Sequence, residues 1–208
     1  MHLKRLSPAV GVEVAGLDVG GELDGAVLRE LEETLDRESL ILLRGQRLSQ
    51  EQGRQLFDHF GPRIPGVSVV TNDAPTGRGE LEFHSEQSFQ RKDPIRGLAL
   101  YGKTISAGGG ATLFINCAAA FQSLAQHLQD RLMHTDTVHS FDPRVRLKTG
   151  YDGPEIPDGG WRTVHPAVLR HPVTGASILF VSPWFTTAVM GCDDQQGAAL
   201  LSGLFVIS

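Results

Sequence analysis

His84-Ser85-Glu86, within the stretch LEFHSEQSF at 81–89, and His134-Thr135-Asp136 each set an imidazole and a carboxylate two positions apart. On an extended chain the side chains of i and i+2 point to the same face, so such a pair can converge on one divalent cation. Eight histidines and 24 acidic residues among 208 yield about one such triplet by chance. The spacing alone therefore decides nothing, and the setting must. The alternation in 81–89 puts Glu82, His84, Glu86 and Ser88 on one face and Leu81, Phe83, Ser85 and Phe89 partly on the other. Two readings stand side by side: the polar face of an edge strand, or one imidazole and one carboxylate of a metal site. With a second histidine from elsewhere, the latter becomes a 2-His-1-carboxylate set, which leaves positions on Fe(II) open for oxygen chemistry. His134 and Asp136 instead follow a helix end and precede DTVHSF, which reads as a solvated connection into a strand.

The elements that must position these groups are partly readable. In LDGAVLRELEETLDRE, Leu28, Leu31 and Leu35 share one helical face opposite acids and arginine. In LSQEQGRQLFDHFGP, Ser49 and Gln52 make a capping box and Gly61-Pro62 stops the helix. AAAFQSLAQHLQDRL carries Phe121, Leu124, Leu128 and Leu132 on one stripe and predicts a third helix. A weaker fourth, near DDQQGAALLSGLF, is interrupted by Gly197 and Gly203. Short β-type runs occupy GVEVAGLDV, SLILLRG, GVSVVT, LEFHSEQSF, IRGLALYG, ATLFIN and ASILFVS. RHPVTGASILF reads as a turn at Pro172 to Gly175 between two extended arms. Residues 142–163, rich in proline and glycine, read as a long surface loop. Many strands, few helices and no βαβ alternation predict a mainly β fold, a sandwich or jelly roll with helices packed outside.

Bulk properties narrow the function classes. The length suits one domain with a proper core, and 40% hydrophobic with 21% charged residues is ordinary for a globular chain. A net charge of −5, with Lys and Arg scattered, offers no basic surface to nucleic acid or anionic lipid. No apolar run approaches the roughly 18 residues of a membrane span, and the N-terminus lacks an apolar signal core. Cys117 and Cys192 form no CxxC pattern, so a reduced, cytoplasmic chain is expected, with Cys117 as core filler. The glycines of GGGATLF lead into β-type residues with no GK[ST] after them, which speaks against a phosphate cradle.

Segment order then carries a resemblance. GVEVAGLDV, SLILLRGQRLSQEQGRQLFDHFG, FHSEQSF, LYGKTISAGGGATLFINCAAAFQSL and VHPAVLRHPVTGASILFVSPWFTT occur in that sequence between about residue 8 and about residue 191. In this order and spacing the chain resembles the taurine dioxygenase-like (TauD/TfdA) non-haem Fe(II)/2-oxoglutarate-dependent dioxygenases. The resemblance implies a double-stranded β-helix (jelly roll) holding iron, with His84 and Glu86 on the H-x-D/E metal-ligand positions. Most close relatives in the family carry Asp at the second position, and Glu there is similar to the clavaminate-synthase-like branch. Thr112 matches the threonine whose hydroxyl contacts the 2-oxoglutarate carboxylate. His165 and His171, each followed by proline, match structural positions near the hairpin and are expected to be packing or turn residues. The implied cofactors are Fe(II), 2-oxoglutarate as cosubstrate and O2. The implied reaction hydroxylates a small organic acid or amino-acid-like substrate, with release of succinate and CO2.

The pattern departs from the family at its end. The family's distal histidine, and the arginine that pairs with the far carboxylate of 2-oxoglutarate, lie beyond the HPVTG segment. Here no histidine follows His171 and the sequence stops at Ser208. Residues 1–208 are therefore expected to form a single domain of this family truncated before those strands, weakly active or inactive alone, unless His134, His139 or His165 serves as third ligand. Two further readings stand beside this one. One is a non-catalytic binding or interaction protein, and a homo-oligomer is compatible with it. The other is a cupin-like metal protein with other ligands, whose metal binding would survive His84→Ala.

Overall fold

The computed structural model describes residues 1–62, 81–90, 93–105, 110–142, 155 and 157–206. These fall into two compact units, one drawn from 1–65, 99–119 and 171–176, the other from 66–98, 120–170 and 177–208.

The first unit is built on a three-stranded sheet in the order β1-β2-β3, with β1 at His2–Arg5, β2 at Val12–Ala15 and β3 at Ile41–Leu42. Alternation does in β2 what it should: Val12 and Val14 are buried, while Glu13 and Ala15 are only partly covered. β1 pairs antiparallel with β2, and β2 pairs parallel with β3. That parallel pair is joined through α1, Gly25–Glu38, so one βαβ connection exists where none was expected. A parallel pair needs such a crossover, and only two residues of β3 take part, too few to show as a pattern. Asp24 caps α1 by accepting from the Ala26 amide at 2.7 Å, and Ser39 ends it in the left-handed region with φ 64°. Helix α2, Gln50–His59, opens on the expected capping box of Ser49 and Gln52.

The second unit centres on β4, Asp136–Phe141, flanked by β5, Trp161–Pro166, and β8, Thr186–Val189. Both partners run antiparallel to it, and the β4–β8 register shifts between Val138 and His139. Thr137, Val138 and His139 are buried in succession, so β4 is covered on both faces. β6, Val168–Arg170, and β7, Ser177–Leu179, form the predicted hairpin, with Gly175 at φ 70° in the turn between them. Helix α5, Asp194–Phe205, is capped by Asp193 and lies against β8, with Gly197 facing Val189.

Several expectations are corrected. The third predicted helix is two: α3, Cys117–Ser123, and α4, Gln126–Leu132, separated where Ala125 turns extended at ψ 144°. IRGLALYG and ATLFIN form no strand, and Leu100, Ile105 and Leu113 stand 62, 79 and 65% exposed. The last residues of the predicted 142–163 loop belong to β5, while 143–154 and 156 lie outside the described residues, as does GVSVVT at 66–71. Eight short strands, five helices and three separate small sheets account for the regular structure among the described residues.

Candidate metal site and its buried support

His84 and Glu86 are brought together, though not by the predicted strand. Residues 81–85 are irregular and 86–90 form a turn, with Gln87 in the left-handed region at φ 51°. The Ser88 amide donates to the Ser85 carbonyl at 3.3 Å and the Gln90 amide to the Gln87 carbonyl at 3.0 Å. The two-face alternation fails because the chain turns here, and Ser88 and Phe89 are both buried, at 1 and 8% exposure. A straight strand would send them to opposite faces. The turn does bring His84 Nε2 and Glu86 Oε2 within 3.8 Å, with the two side chains 28 and 38% exposed.

The ring of His84 is fixed on its other side. Nδ1 lies 2.8 Å from the Glu82 carbonyl oxygen, which can only accept, so the proton of the neutral ring sits on Nδ1. That leaves the Nε2 lone pair directed at the space beside Glu86, the tautomer a metal-binding imidazole needs. Phe185 meets the ring edge-on at a centroid distance of 5.4 Å, and Trp184 lies at 6.0 Å. The Trp184 amide donates to the Phe83 carbonyl at 3.4 Å, tying this wall to the histidine's own strand of chain.

These donors fit part of an iron site. Two neighbouring donors on one ion, with bonds of about 2.0–2.2 Å at near right angles, lie about 3 Å apart, so the observed 3.8 Å requires the two side chains to close by a little under 1 Å. One imidazole nitrogen and one carboxylate oxygen are also the donor types of a non-haem Fe(II) centre. No group of three or more His, Cys, Asp or Glu side chains able to hold a metal occurs among the described residues. None of the substitutes for a third ligand joins His84 and Glu86 in such a group among the described residues. His134 Nδ1 lies 3.0 Å from the Asp130 carbonyl on the exposed connection into β4, as its sequence setting suggested. His139 and His165 are buried in hydrogen bonds of their own.

Those bonds form the part that sequence reasoning missed. His139 Nδ1 meets Ser88 Oγ at 2.9 Å, and His165 Nε2 donates to the Ser88 carbonyl at 2.7 Å. His139 Nε2 faces the hydroxyls of Thr137 at 3.3 Å and Thr186 at 3.4 Å. Its ring stacks on Phe180 at 5.2 Å and stands edge-on to His165 at 4.9 Å. Burial, followed by the nearby His165, pushes the His139 imidazole down to about 4, against a smaller opposing pull from a Phe180 backbone hydrogen bond. One residue further on, Phe89 packs among Phe141, Trp161 and Phe185, and Thr163 Oγ1 donates to its carbonyl at 2.8 Å.

The remaining candidates are placed as follows. Thr112 belongs to the first unit, in an irregular exposed stretch. His171 is a turn residue as expected: Nδ1 accepts from the Val173 and Thr174 amides at 3.3 and 3.2 Å. Cys117 is half-buried, and burial raises its thiol pKa, which disfavours the thiolate. No helix among the described residues is long and apolar enough to cross a membrane.

Comparison with known proteins places this arrangement. The profile of the family "Taurine catabolism dioxygenase TauD, TfdA family" matches residues 2–207. Pentalenolactone F synthase of Streptomyces avermitilis is 24% identical over 246 residues, covering 99% of this chain and 78% of that protein. The alpha-ketoglutarate-dependent dioxygenase cnsP of Penicillium expansum is 27% identical over 226 residues, and there the match spans 97% of this chain but 60% of the relative. A crystal structure of a taurine dioxygenase from Burkholderia xenovorans superposes with a TM-score of 0.73 at 24% identity, over 99% of this chain and 72% of that one, which shows a shared fold.

Proposed function

We propose that this chain, which belongs to the TauD/TfdA family of dioxygenases, is an Fe(II)- and 2-oxoglutarate-dependent oxygenase in which His84 and Glu86 are metal ligands. The cofactor set of such enzymes is Fe(II), 2-oxoglutarate and O2. The observation that carries the residue assignment is the convergence of His84 Nε2 and Glu86 Oε2 to 3.8 Å with the imidazole proton held on the far nitrogen. Bound iron would supply the activation of O2 that drives oxidative decarboxylation of the cosubstrate and oxidation of a substrate C–H bond.

The chain's own residues have four tasks. His84 and Glu86 hold the ion. The Glu82 carbonyl keeps the imidazole in its ligating tautomer. Phe185 and Trp184 cover one side of the His84 ring and limit water there. Thr112 is proposed as the hydroxyl that meets the 2-oxoglutarate carboxylate. The domain is read as a double-stranded β-helix and the compartment as cytoplasmic. The proposed substrate is a small organic acid or amino-acid-like molecule hydroxylated with release of succinate and CO2. Titration of the purified chain with Mn(II), followed by loss of the free-ion paramagnetic signal, tests the ligand pair. Wild type should bind one ion, and His84→Ala and Glu86→Ala should each weaken it by tenfold or more. Binding that survives His84→Ala would reject the pair in favour of other ligands.

A second reading, a non-catalytic binding protein, is favoured by the exposure of Leu100, Ile105 and Leu113. Sedimentation across a concentration series tests it, since self-association supports that reading and a monomer throughout speaks against it.

A further inference from the structure

We propose that His139 and His165 are positioning residues that grip Ser88 from two sides and thereby set the turn carrying Glu86, and with it the approach of Glu86 to His84. Every polar atom of Ser88 is engaged: its amide with Ser85 at 3.3 Å, its hydroxyl with His139 at 2.9 Å, its carbonyl with His165 at 2.7 Å. Both histidines lie on paired strands of one sheet, β4 and β5, in adjoining registers: His139 faces Thr163 and His165 faces Thr137. The two imidazoles therefore come from a rigid platform, while the turn they hold has no strand pairing of its own. Ser88 lies two residues from Glu86, so a rotation of the turn about Ser88 moves the carboxylate. Gln87, between them, sits at φ 51°, a conformation a non-glycine residue rarely holds without outside support.

The hydrogen-bond directions are largely fixed. The Ser88 carbonyl can only accept, so His165 carries its proton on Nε2. Thr186 Oγ1 already accepts from the Ser182 amide at 2.9 Å, which leaves its own proton free to face His139 Nε2. Neither histidine forms a metal-holding group with His84 and Glu86 among the described residues. Their effect on metal binding rests on the ligand assignment of His84 and Glu86 above, but their effect on the turn does not.

Two substitutions separate a brace from mere filling, and the smaller one, Asn, leaves the larger void at this buried site. The amide of asparagine overlays the Nδ1 side of an imidazole and that of glutamine the Nε2 side. His139→Asn therefore keeps a partner for Ser88 Oγ, whereas His139→Gln keeps the threonine contacts and drops Ser88. Two readouts are taken on the full chain: amide hydrogen exchange over residues 85–90 without metal, and Mn(II) affinity. Exchange at Ser88 and Gln90 should quicken about tenfold in Ser88→Ala and His139→Gln and stay near wild type in His139→Asn. Mn(II) affinity should follow the same order, falling about tenfold in the first two. Unchanged exchange in Ser88→Ala overturns the brace whether or not metal binds. Equal quickening in the two His139 variants reduces the histidine to packing and overturns it as well. Mn(II) binding that is indifferent to His84→Ala, with exchange still responding as expected, rejects the ligand pair and leaves the brace standing. Should the His139 variants lose their near-ultraviolet circular dichroism, Ser88→Ala, which removes one oxygen and no packing volume, decides by itself.

Discussion

Lowering the pH from 7.5 to 5.0 is expected to destabilise the fold by about 2 kcal/mol through one side chain, His139. The imidazole is 1% exposed and its pKa is lowered from 6.5 to about 4, chiefly by burial and then by His165. In the unfolded chain the same ring takes up a proton at about pH 6.5. Between those two values the unfolded state binds more protons than the folded one, so stability falls as pH falls through the window and is fully present above it. The full interval of about 2.5 units at about 1.36 kcal/mol each gives about 3 kcal/mol, of which about 2 is lost by pH 5.0. Urea unfolding of wild type and His139→Asn at the two pH values isolates the effect, because other titrating groups act in both proteins. Wild type should lose about 2 kcal/mol more than the variant on acidification. Equal losses in the two proteins, within about 0.5 kcal/mol, would show that the buried ring carries no such proton linkage.

Three further outcomes follow from single contacts. Ser49→Ala removes the side-chain half of the α2 capping box and should lower urea-derived stability by about 1 kcal/mol. Gly160 sits at φ 83°, with a β-carbon's place only 2.9 Å from the Phe141 carbonyl oxygen; Gly160→Ala should cost about 1–3 kcal/mol and reduce the melting temperature by several degrees. Phe89→Ala empties a site shared by Phe141, Trp161 and Phe185 and should cost about 3–5 kcal/mol by denaturant unfolding, with no comparable loss in Phe89→Leu.

Features set by neighbouring residues are legible in the sequence, whereas those set by distant partners are not. The α2 capping box depends on Ser49 and Gln52 alone, and the 172–175 turn on four adjacent residues, so both were visible in one dimension. The break between α3 and α4 was hidden because Phe121, Leu124 and Leu132 stay buried on either side of it, preserving the helical stripe. The freed Leu124 carbonyl is satisfied instead by the Gln129 side chain at 2.8 Å. IRGLALYG and ATLFIN have strand composition but no strand pairing, and β propensity expresses itself only against a neighbour.

The candidate site shows the same division. Residue type and spacing pointed to His84 and Glu86, yet the backbone that joins them is a turn. The reason is non-local: Ser88 is bonded to residues 51 and 77 positions away. No periodicity in LEFHSEQSF could announce partners in DTVHSF and WRTVHP. His165 was expected to be a packing residue, and it does pack, but its Nε2 proton also holds the turn.

The central claim is that one ion binds between the side chains of residues 84 and 86. Anomalous scattering from crystals of the full chain soaked in Mn(II) reads it most directly. The account predicts a single strong peak within about 2.2 Å of both His84 Nε2 and a Glu86 carboxylate oxygen. A peak held by other side chains, with these two left unliganded, would contradict it.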